Sequence, residues 1–184
     1  MIMWLRRKIV LVFLYIFVLF VATVFADTEP KIYPKLTLES GVTYLGLFDL
    51  KTNTEAFLGV PFAEPPIGDL RWLPPKSTQD TEEVKSAKNF APACFQGKHI
   101  TDWYKNVAEG FGGNPDEILA PHVSEDCLYL NIWRPAKLKD REKIPVIIYI
   151  HGGSNKGGWS YEPNYLGREL AKHGIVVVTI AYRL

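Results

Sequence analysis

A glycine-containing loop follows a strand-like segment and has a composition suited to a developing negative oxygen. Val146–Ile150 are all β-branched or aromatic, which predicts a strand buried on both faces. His151-Gly152-Gly153-Ser154 follows directly, and Gly157-Gly158 lies a little further on. Glycines at the end of such a strand let peptide N–H groups approach a ligand, and N–H groups stabilise the oxyanion formed when a nucleophile attacks an ester or amide carbonyl. An ordinary glycine-rich connection is the alternative that these residues alone leave open.

The sequence contains no serine in the Gly-x-Ser-x-Gly pattern of a nucleophile at a strand-to-helix turn. Ser154 and Ser160 each have a glycine two residues before them, but Lys156 and Glu162 stand two residues after. A triad histidine needs a nucleophile within reach and an orienting acid. None of the four histidines is therefore assigned a catalytic role: His99, His122, His151, which we expect to be structural, and His173, which we place at a helix end.

Two cysteines, Cys94 and Cys127, are present. In a secreted chain an isolated pair most simply forms a disulfide, which would stabilise the fold by about 4 kcal/mol in the chain-entropy model. Two free thiols are the alternative. Two thiols without matching ligands do not complete a tetrahedral shell, so we expect no metal site and no cofactor.

The charge distribution separates a leader from the rest of the 184 residues. Arg6-Arg7-Lys8 precedes an apolar run over residues 9–25, and Val24-Phe25-Ala26 has small residues where a signal-peptide cleavage site before Asp27 requires them. Residues 1–26 are therefore predicted to be a secretory signal peptide. An uncleaved membrane anchor over residues 9–25 is the alternative. The remaining sequence has 18 basic and 20 acidic residues and no basic patch, which argues against a nucleic-acid partner.

Short strands are predicted before the glycine loop. Lys35–Leu38, Val42–Leu47 and Glu55–Val60 have strand composition, and their close spacing favours antiparallel pairing at one edge of a sheet. Gly59–Pro75 contains five prolines, which exclude helix and central strand, while its aromatic residues favour a packed loop over a linker. Phe95–Val123 is predicted to be a long irregular loop with a turn of helix near Trp103–Ala108.

The later part of the chain predicts an α/β unit. Leu128–Arg134 alternates as a strand, Asn164–His173 has helical spacing with Gly174 at the capping position, and Ile175–Ile180 is an apolar strand. The order strand, loop, helix, strand from residue 146 onward indicates a right-handed parallel crossover.

Four segments resemble the type-B carboxylesterase family, which includes the cholinesterases and has the α/β-hydrolase fold. The sharpest match is Glu125–Pro135, EDCLYLNIWRP, which is similar to a signature of the family at every position. Gly59–Pro75, His151–Gly153 and Val176–Leu184 are similar to further family segments in the same order. The resemblance covers most of residues 38–184 and implies the amino-terminal part of an α/β-hydrolase fold, with short antiparallel edge strands leading into a mostly parallel sheet.

The resemblance implies roles for individual residues. Cys94 and Cys127 match the family's first disulfide. Arg71 and Glu125 match an internal ion pair of the family. The contribution of such a pair to stability depends on whether it is desolvated or solvated. The loop Gly152-Gly153-Ser154 matches the oxyanion loop, with the N–H groups of the last two residues as donors.

The sequence departs from the family pattern at Ser154, where the family usually has a third glycine. Its side chain would either restrict the backbone or supply a further donor. The cholinesterase setting of an aromatic site for quaternary ammonium is not reproduced around Trp103, so we expect that residue to pack in the core or a lid.

The resulting expectation is the amino-terminal fragment of a secreted serine-type carboxylic ester hydrolase. Residues 27–184 would be an incomplete domain, inactive alone because the family's serine, acid and histidine follow the segment matched by Leu184. The implied substrate of the full-length protein is a small carboxylic ester. Two alternatives stay open: a non-catalytic cholinesterase-like adhesion protein, and an incomplete gene model without independent function.

Overall fold

A computed structural model describes residues 33–79, 84–138 and 143–184. The predicted signal peptide, residues 1–26, and its apolar run lie outside these residues, so cleavage or anchoring stays a prediction. No helix in the three described ranges combines the length and apolar character that crossing a membrane requires.

Ten strands and two helices make up the described fold. The strands are β1 (Lys35–Thr37), β2 (Thr43–Leu45), β3 (Leu47–Asp49), β4 (Thr54–Pro61), β5 (Val84–Ser86), β6 (Ala93–Cys94), β7 (Val123–Ser124), β8 (Tyr129–Pro135), β9 (Val146–Ile150) and β10 (Val176–Ile180). The helices are α1 (His99–Gly110) and α2 (Arg168–Ala171), and short 3₁₀ turns cover Gly68–Leu70, Pro115–Glu117 and Pro163–Tyr165.

The main sheet has five strands in the order β3-β4-β8-β10-β9. The pairs β3–β4, β4–β8 and β8–β10 are antiparallel, and β9 pairs with β10 in parallel. Because a parallel pair needs a crossover, the segment with α2 connects β9 to β10. Antiparallel strands at one edge thus lead to a parallel pair at the other, as the α/β prediction requires, although β9–β10 is the one parallel pair within this sheet of the described residues.

The predicted strand Val42–Leu47 is wrong as a single element. It divides into β2, which joins a three-stranded sheet with β1 and β5, and β3, which joins the main sheet. The division falls at Gly46, whose backbone lies so close to β4 that a Cβ there would overlap Ala56 O and lie 2.8 Å from the Phe57 ring. Tight backbone packing at a glycine therefore directs the chain from one sheet to the next.

A β-bulge in β4 is held by the buried amide of Asn131. The pairing register of β4 with β8 shifts between Phe57 and Val60, and Gly59 adopts φ +68° there. Gly59 N–H donates to Asn131 Oδ1 at 2.9 Å, while Asn131 Nδ2 donates to Ser160 Oγ at 3.1 Å and Thr179 Oγ1 at 3.0 Å. The amide thus connects β4, β8, β10 and the segment after the glycine loop.

Both predicted helices need correction. The turn expected near Trp103–Ala108 is a twelve-residue helix, α1, which buries Tyr104 and ends at Gly110. Trp103 is 56% exposed and contacts the Tyr104 ring edge-on, so it does not lie in the core. The helix expected over Asn164–His173 is reduced to a 3₁₀ turn and α2, since Gly167 lies against Trp133 and Val177 where the segment meets the sheet.

Strand β9 forms as predicted, but its predicted burial is wrong. Four of its five residues are exposed: Val146 57%, Ile147 44%, Ile148 62% and Ile150 61%. The strand occupies the edge of the described sheet, with β10 on one side. Side-chain type set the strand propensity, whereas burial depends on neighbours that the described residues do not supply.

Candidate active site

The loop after β9 has an unusual backbone conformation. We define the glycine loop as His151–Gly158, with a tip of Gly152–Lys156 and a base of Gly157–Gly158. Within the tip, Gly153 has φ +116°, and Ser154 and Asn155 both have φ +56°. Lys156 N–H donates to Gly153 O at 3.0 Å and closes the turn.

Three consecutive backbone N–H groups at the tip are available to a ligand. Within residues 33–79, 84–138 and 143–184, the N–H groups of Gly152, Gly153 and Ser154 donate to no protein acceptor. Gly152 and Ser154 are exposed, and Gly153 is half-buried. Successive backbone N–H groups in a tight turn form a concavity that attracts anions, so this tip has the chemistry expected of an oxyanion site.

The three tip residues differ in what their backbone positions tolerate. A Cβ on Gly153 would overlap Gly157 O, whereas a Cβ on Gly152 would meet no atom within 4 Å. Ser154 already carries a Cβ in the left-handed region, where an L-residue is disfavoured by about 1–2 kcal/mol. Ser154 thus preserves a glycine-like backbone at an energetic cost.

His151 fixes the start of the loop. Its ring is buried and stacks on Tyr182 at 4.3 Å between ring centroids. Its Nδ1 donates to Gly152 O at 2.9 Å, and Tyr182 Oη donates to His151 O at 2.7 Å. These contacts agree with the expected structural role. Of the other histidines, His99 begins α1, and its ring lies beside Gly157.

The base of the loop is held by Gln96, which sequence reasoning missed. Gly158 N–H donates to Gln96 Oε1 at 2.7 Å, and Gln96 Nε2 donates to Gly158 O at 2.7 Å. Gln96 Nε2 also donates to Cys94 O at 3.1 Å. No sequence signal indicates this contact, because Gln96 and Gly158 are 62 residues apart.

A buried carboxylate holds the segment immediately after the loop. Glu162 is 6% exposed and accepts hydrogen bonds from Tyr104 Oη at 2.5 Å and from Trp159 N–H at 3.1 Å. Burial, followed by the hydrogen bond to Glu162, raises the pKa of Tyr104 well above its ordinary value. No sequence signal indicates Glu162 either. Its bond from Trp159 N–H lies within the segment, and its bond from Tyr104 joins the segment to α1.

The cysteine pair is joined. Cys94 and Cys127 form a disulfide with an S–S distance of 2.05 Å, and both residues are buried. Cys94 ends β6, and Cys127 lies just before β8, so the bridge ties the segment containing α1 to the main sheet.

Arg71 and Glu125 form a bidentate ion pair, with Nε–Oε1 and Nη2–Oε2 distances of 2.6 Å. Their side chains are 47% and 41% exposed, so the pair is solvated in the described structure. The hydrogen bond from Arg71 holds the pKa of Glu125 below its ordinary value. An exposed pair of this kind contributes little to stability.

The ion pair and the disulfide border a cavity that is separate from the glycine loop. The cavity has a volume of about 550 Å³, and Trp72, Phe95 and Arg183 also line it, whereas no residue of the glycine loop does. The structure therefore joins the glycine loop, through Gln96, to residues 94–127, which we call the disulfide segment, but it does not place Arg71 and Glu125 beside the loop.

The sheet order and the strand-to-loop geometry define the class as the α/β-hydrolase fold. A solved PNB esterase matches with a TM-score of 0.69 and 28% identity over 83% of this chain and 28% of its own. Carboxylesterase 1C from Mus musculus is 42% identical over 142 residues, which are 77% of this chain. Fumonisin B1 esterase from Sphingopyxis macrogoltabida is 39% identical over 131 residues, which are 71% of this chain.

A model described as "Carboxylesterase family" matches residues 43–184. The chain therefore belongs to the carboxylesterase family, and the resemblance inferred from the four sequence segments is confirmed. The chain spans about a quarter of the length of the curated relatives, since the match covers 24% of the mouse protein and 22% of the Sphingopyxis protein.

Proposed function

We propose that this chain is the amino-terminal part of a secreted, serine-type carboxylic ester hydrolase and that it supplies the oxyanion site. The observation that carries the proposal is the pair of N–H groups at Gly153 and Ser154, which have no acceptor in the described part of the chain and belong to a loop whose ends are fixed. Membership of the carboxylesterase family supports ester hydrolysis as the reaction of the full-length protein.

The proposed chemistry follows from charge development. A serine hydroxyl outside this chain, deprotonated by a histidine that an acid orients, attacks the ester carbonyl carbon. The carbonyl oxygen becomes an oxyanion and accepts hydrogen bonds from Gly153 and Ser154 N–H. The alkoxide leaves with the proton carried by the histidine, and water then attacks the acyl-enzyme and releases the carboxylic acid.

The test first sequences the transcript beyond Leu184. It then compares the hydrolytic rate of the 184-residue chain with that of the longer protein that the transcript encodes. We expect Gly-x-Ser-x-Gly in the added sequence, hydrolysis of p-nitrophenyl acetate by the longer protein, and a rate for the 184-residue chain equal to a heat-killed control. Hydrolysis by the shorter chain would contradict the fragment proposal.

The oxyanion role is tested in the longer protein by Gly153→Ala. This change should lower kcat about 10²–10³-fold, because the loop can no longer present its donors. Gly152→Ala is the matched control, because its Cβ enters open space. Equal kcat values for the two variants would remove the role from this loop.

A non-catalytic binding protein is the second candidate, favoured by the replacement of the family's usual glycine by Ser154. Glycine or alanine in place of the serine nucleophile in the added sequence would support it. Secretion is supported by the leader pattern and the disulfide. Mass spectrometry of the exported protein should find Asp27 at the amino terminus, whereas retention of residues 9–25 would indicate an anchor.

A further inference from the structure

We propose that Gln96 is a positioning residue for the oxyanion site and that it links the disulfide segment to the glycine loop. This inference rests on the proposed function for its effect on catalysis. The two hydrogen bonds between Gln96 and Gly158, which we call the clamp, are seen in the structure and do not depend on the proposed function.

The Gln96 amide binds both the N–H and the C=O of one residue, Gly158. Its Oε1 accepts from Gly158 N–H and its Nε2 donates to Gly158 O, each at 2.7 Å. The second hydrogen of Nε2 serves Cys94 O at 3.1 Å, two residues back along the chain. A primary amide supplies this combination of one acceptor and two donors, whereas a carboxylate lacks the donors and an apolar side chain lacks both.

Gly158 transmits this restraint to the tip of the loop. It has φ +113°, and a Cβ there would overlap His151 Nδ1 and lie 2.5 Å from Gly152 O. Next to it, Gly157 O lies directly against Gly153. Displacement of the Gly157–Gly158 base would therefore move the surface on which the proposed donor at Gly153 rests.

The origin of the clamp lies in the disulfide segment rather than in the main sheet. Gln96 follows β6 and precedes α1, and Cys94, whose carbonyl binds the amide, is fixed by its bond to Cys127. A displacement of about 1 Å at a reacting group can cost about 10²-fold in rate. A side chain that touches no substrate can in this way control the rate by fixing the oxyanion donors.

The first test uses Gln96→Met in the full-length natural protein. This change keeps side-chain length and removes all three hydrogen bonds. We expect kcat for p-nitrophenyl acetate to fall about 10–100-fold with little change in KM. Affinity for a trifluoromethyl ketone, whose adduct carries an oxyanion, should fall by a similar factor. Gln79→Met is the matched control, because Gln79 is exposed and, among the described residues, its hydrogen bond is from its backbone N–H to Glu64.

Gln96→Glu provides a test within one folded variant. The protonated acid retains a donor for Gly158 O, whereas the ionised form places negative charge against two carbonyl oxygens. The ratio of variant to wild-type kcat should therefore rise as pH falls from 7 to 5. A ratio independent of pH, or a Gln96→Met enzyme with wild-type kcat and inhibitor affinity, would overturn the proposal.

Hydrogen exchange separates this inference from the proposed esterase activity. Gly158 N–H is bonded to Gln96, so its exchange should accelerate in Gln96→Met while Gly59 N–H, bonded to Asn131, keeps its protection. If the wild-type protein showed no hydrolysis but this change occurred, the proposed function would fail and the clamp would stand. Unchanged exchange at Gly158 would remove the clamp.

Discussion

The tip and the base of the glycine loop are adjacent in sequence but differ in burial and in hydrogen bonding. At the tip, the N–H groups of Gly152, Gly153 and Ser154 have no acceptor among the described residues, and two non-glycine residues have positive φ. At the base, Gly157 and Gly158 are buried and Gly158 is hydrogen-bonded in both directions to Gln96. The difference shows how a loop can keep exposed N–H groups at its tip while hydrogen bonds to Gln96 fix the position of its base.

The largest expected effect comes from opening the disulfide that anchors the base. Replacing both Cys94 and Cys127 by serine should lower the free energy of unfolding by about 4 kcal/mol, because the unfolded chain loses a constraint over 33 residues. Urea denaturation of the exported protein measures the change. A loss below 1 kcal/mol would show that the segment is held without the bridge.

The next effect should distinguish base from tip directly. Gly158→Ala introduces a Cβ at positive φ against His151 and should destabilise the protein by about 3 kcal/mol. Gly152→Ala should leave the free energy of unfolding nearly unchanged, since its Cβ meets no neighbour. Thermal melts of the two variants compare them, and similar losses would contradict the distinction between the two parts of the loop.

A smaller, favourable change is expected within the tip. Ser154→Gly removes a Cβ from a left-handed position, which gains about 1–2 kcal/mol, but it also increases the entropy of the unfolded chain. We expect a net stabilisation of about 0.5–1 kcal/mol in denaturant titration. A destabilised variant would indicate that the Ser154 side chain forms a compensating contact.

The smallest effect should come from the Arg71–Glu125 pair, which lies outside the loop. Because the pKa of Glu125 is lowered in the folded state, its contribution is present above the ordinary pKa of a glutamate and is lost as pH falls through the folded value. Glu125→Gln should therefore change the melting temperature slightly at pH 7 and not at all at pH 2. The difference at pH 7 should shrink in 0.5 M NaCl, and salt independence would contradict a solvated pair.

Local sequence predicted the strands better than their surroundings. Val146–Ile150 forms a strand as its β-branched residues require, yet its exposure could not be predicted, because burial is a property of neighbouring chain segments. The break at Gly46 was missed for a related reason. Its cause is the close approach of β4, which no pattern within Val42–Leu47 reports.

The same distinction applies to the candidate site. Glycines after a strand and the resemblance to a known family were enough to predict an oxyanion loop at Gly152–Ser154, and that role stays a prediction. Gln96 and Glu162 were not predicted, because their roles arise from contacts with Gly158 and Tyr104 that lie 62 and 58 residues away in the chain. A polar side chain gives no sequence signal of this kind unless its distant partner is already known.

The buried amide of Asn131 has a consequence for chemical ageing. Hydrolysis of this amide to a carboxylate would leave its partners satisfied, because the hydroxyls of Ser160 and Thr179 can rotate and donate instead of accept. We expect the cost of desolvating the new charge to outweigh the hydrogen bonds to it, so that the folded state raises the pKa of the carboxyl and the aged protein loses stability as pH rises. A melting series of Asn131→Asp from pH 5 to pH 8 would reveal this alkaline sensitivity, and a flat series would refute it.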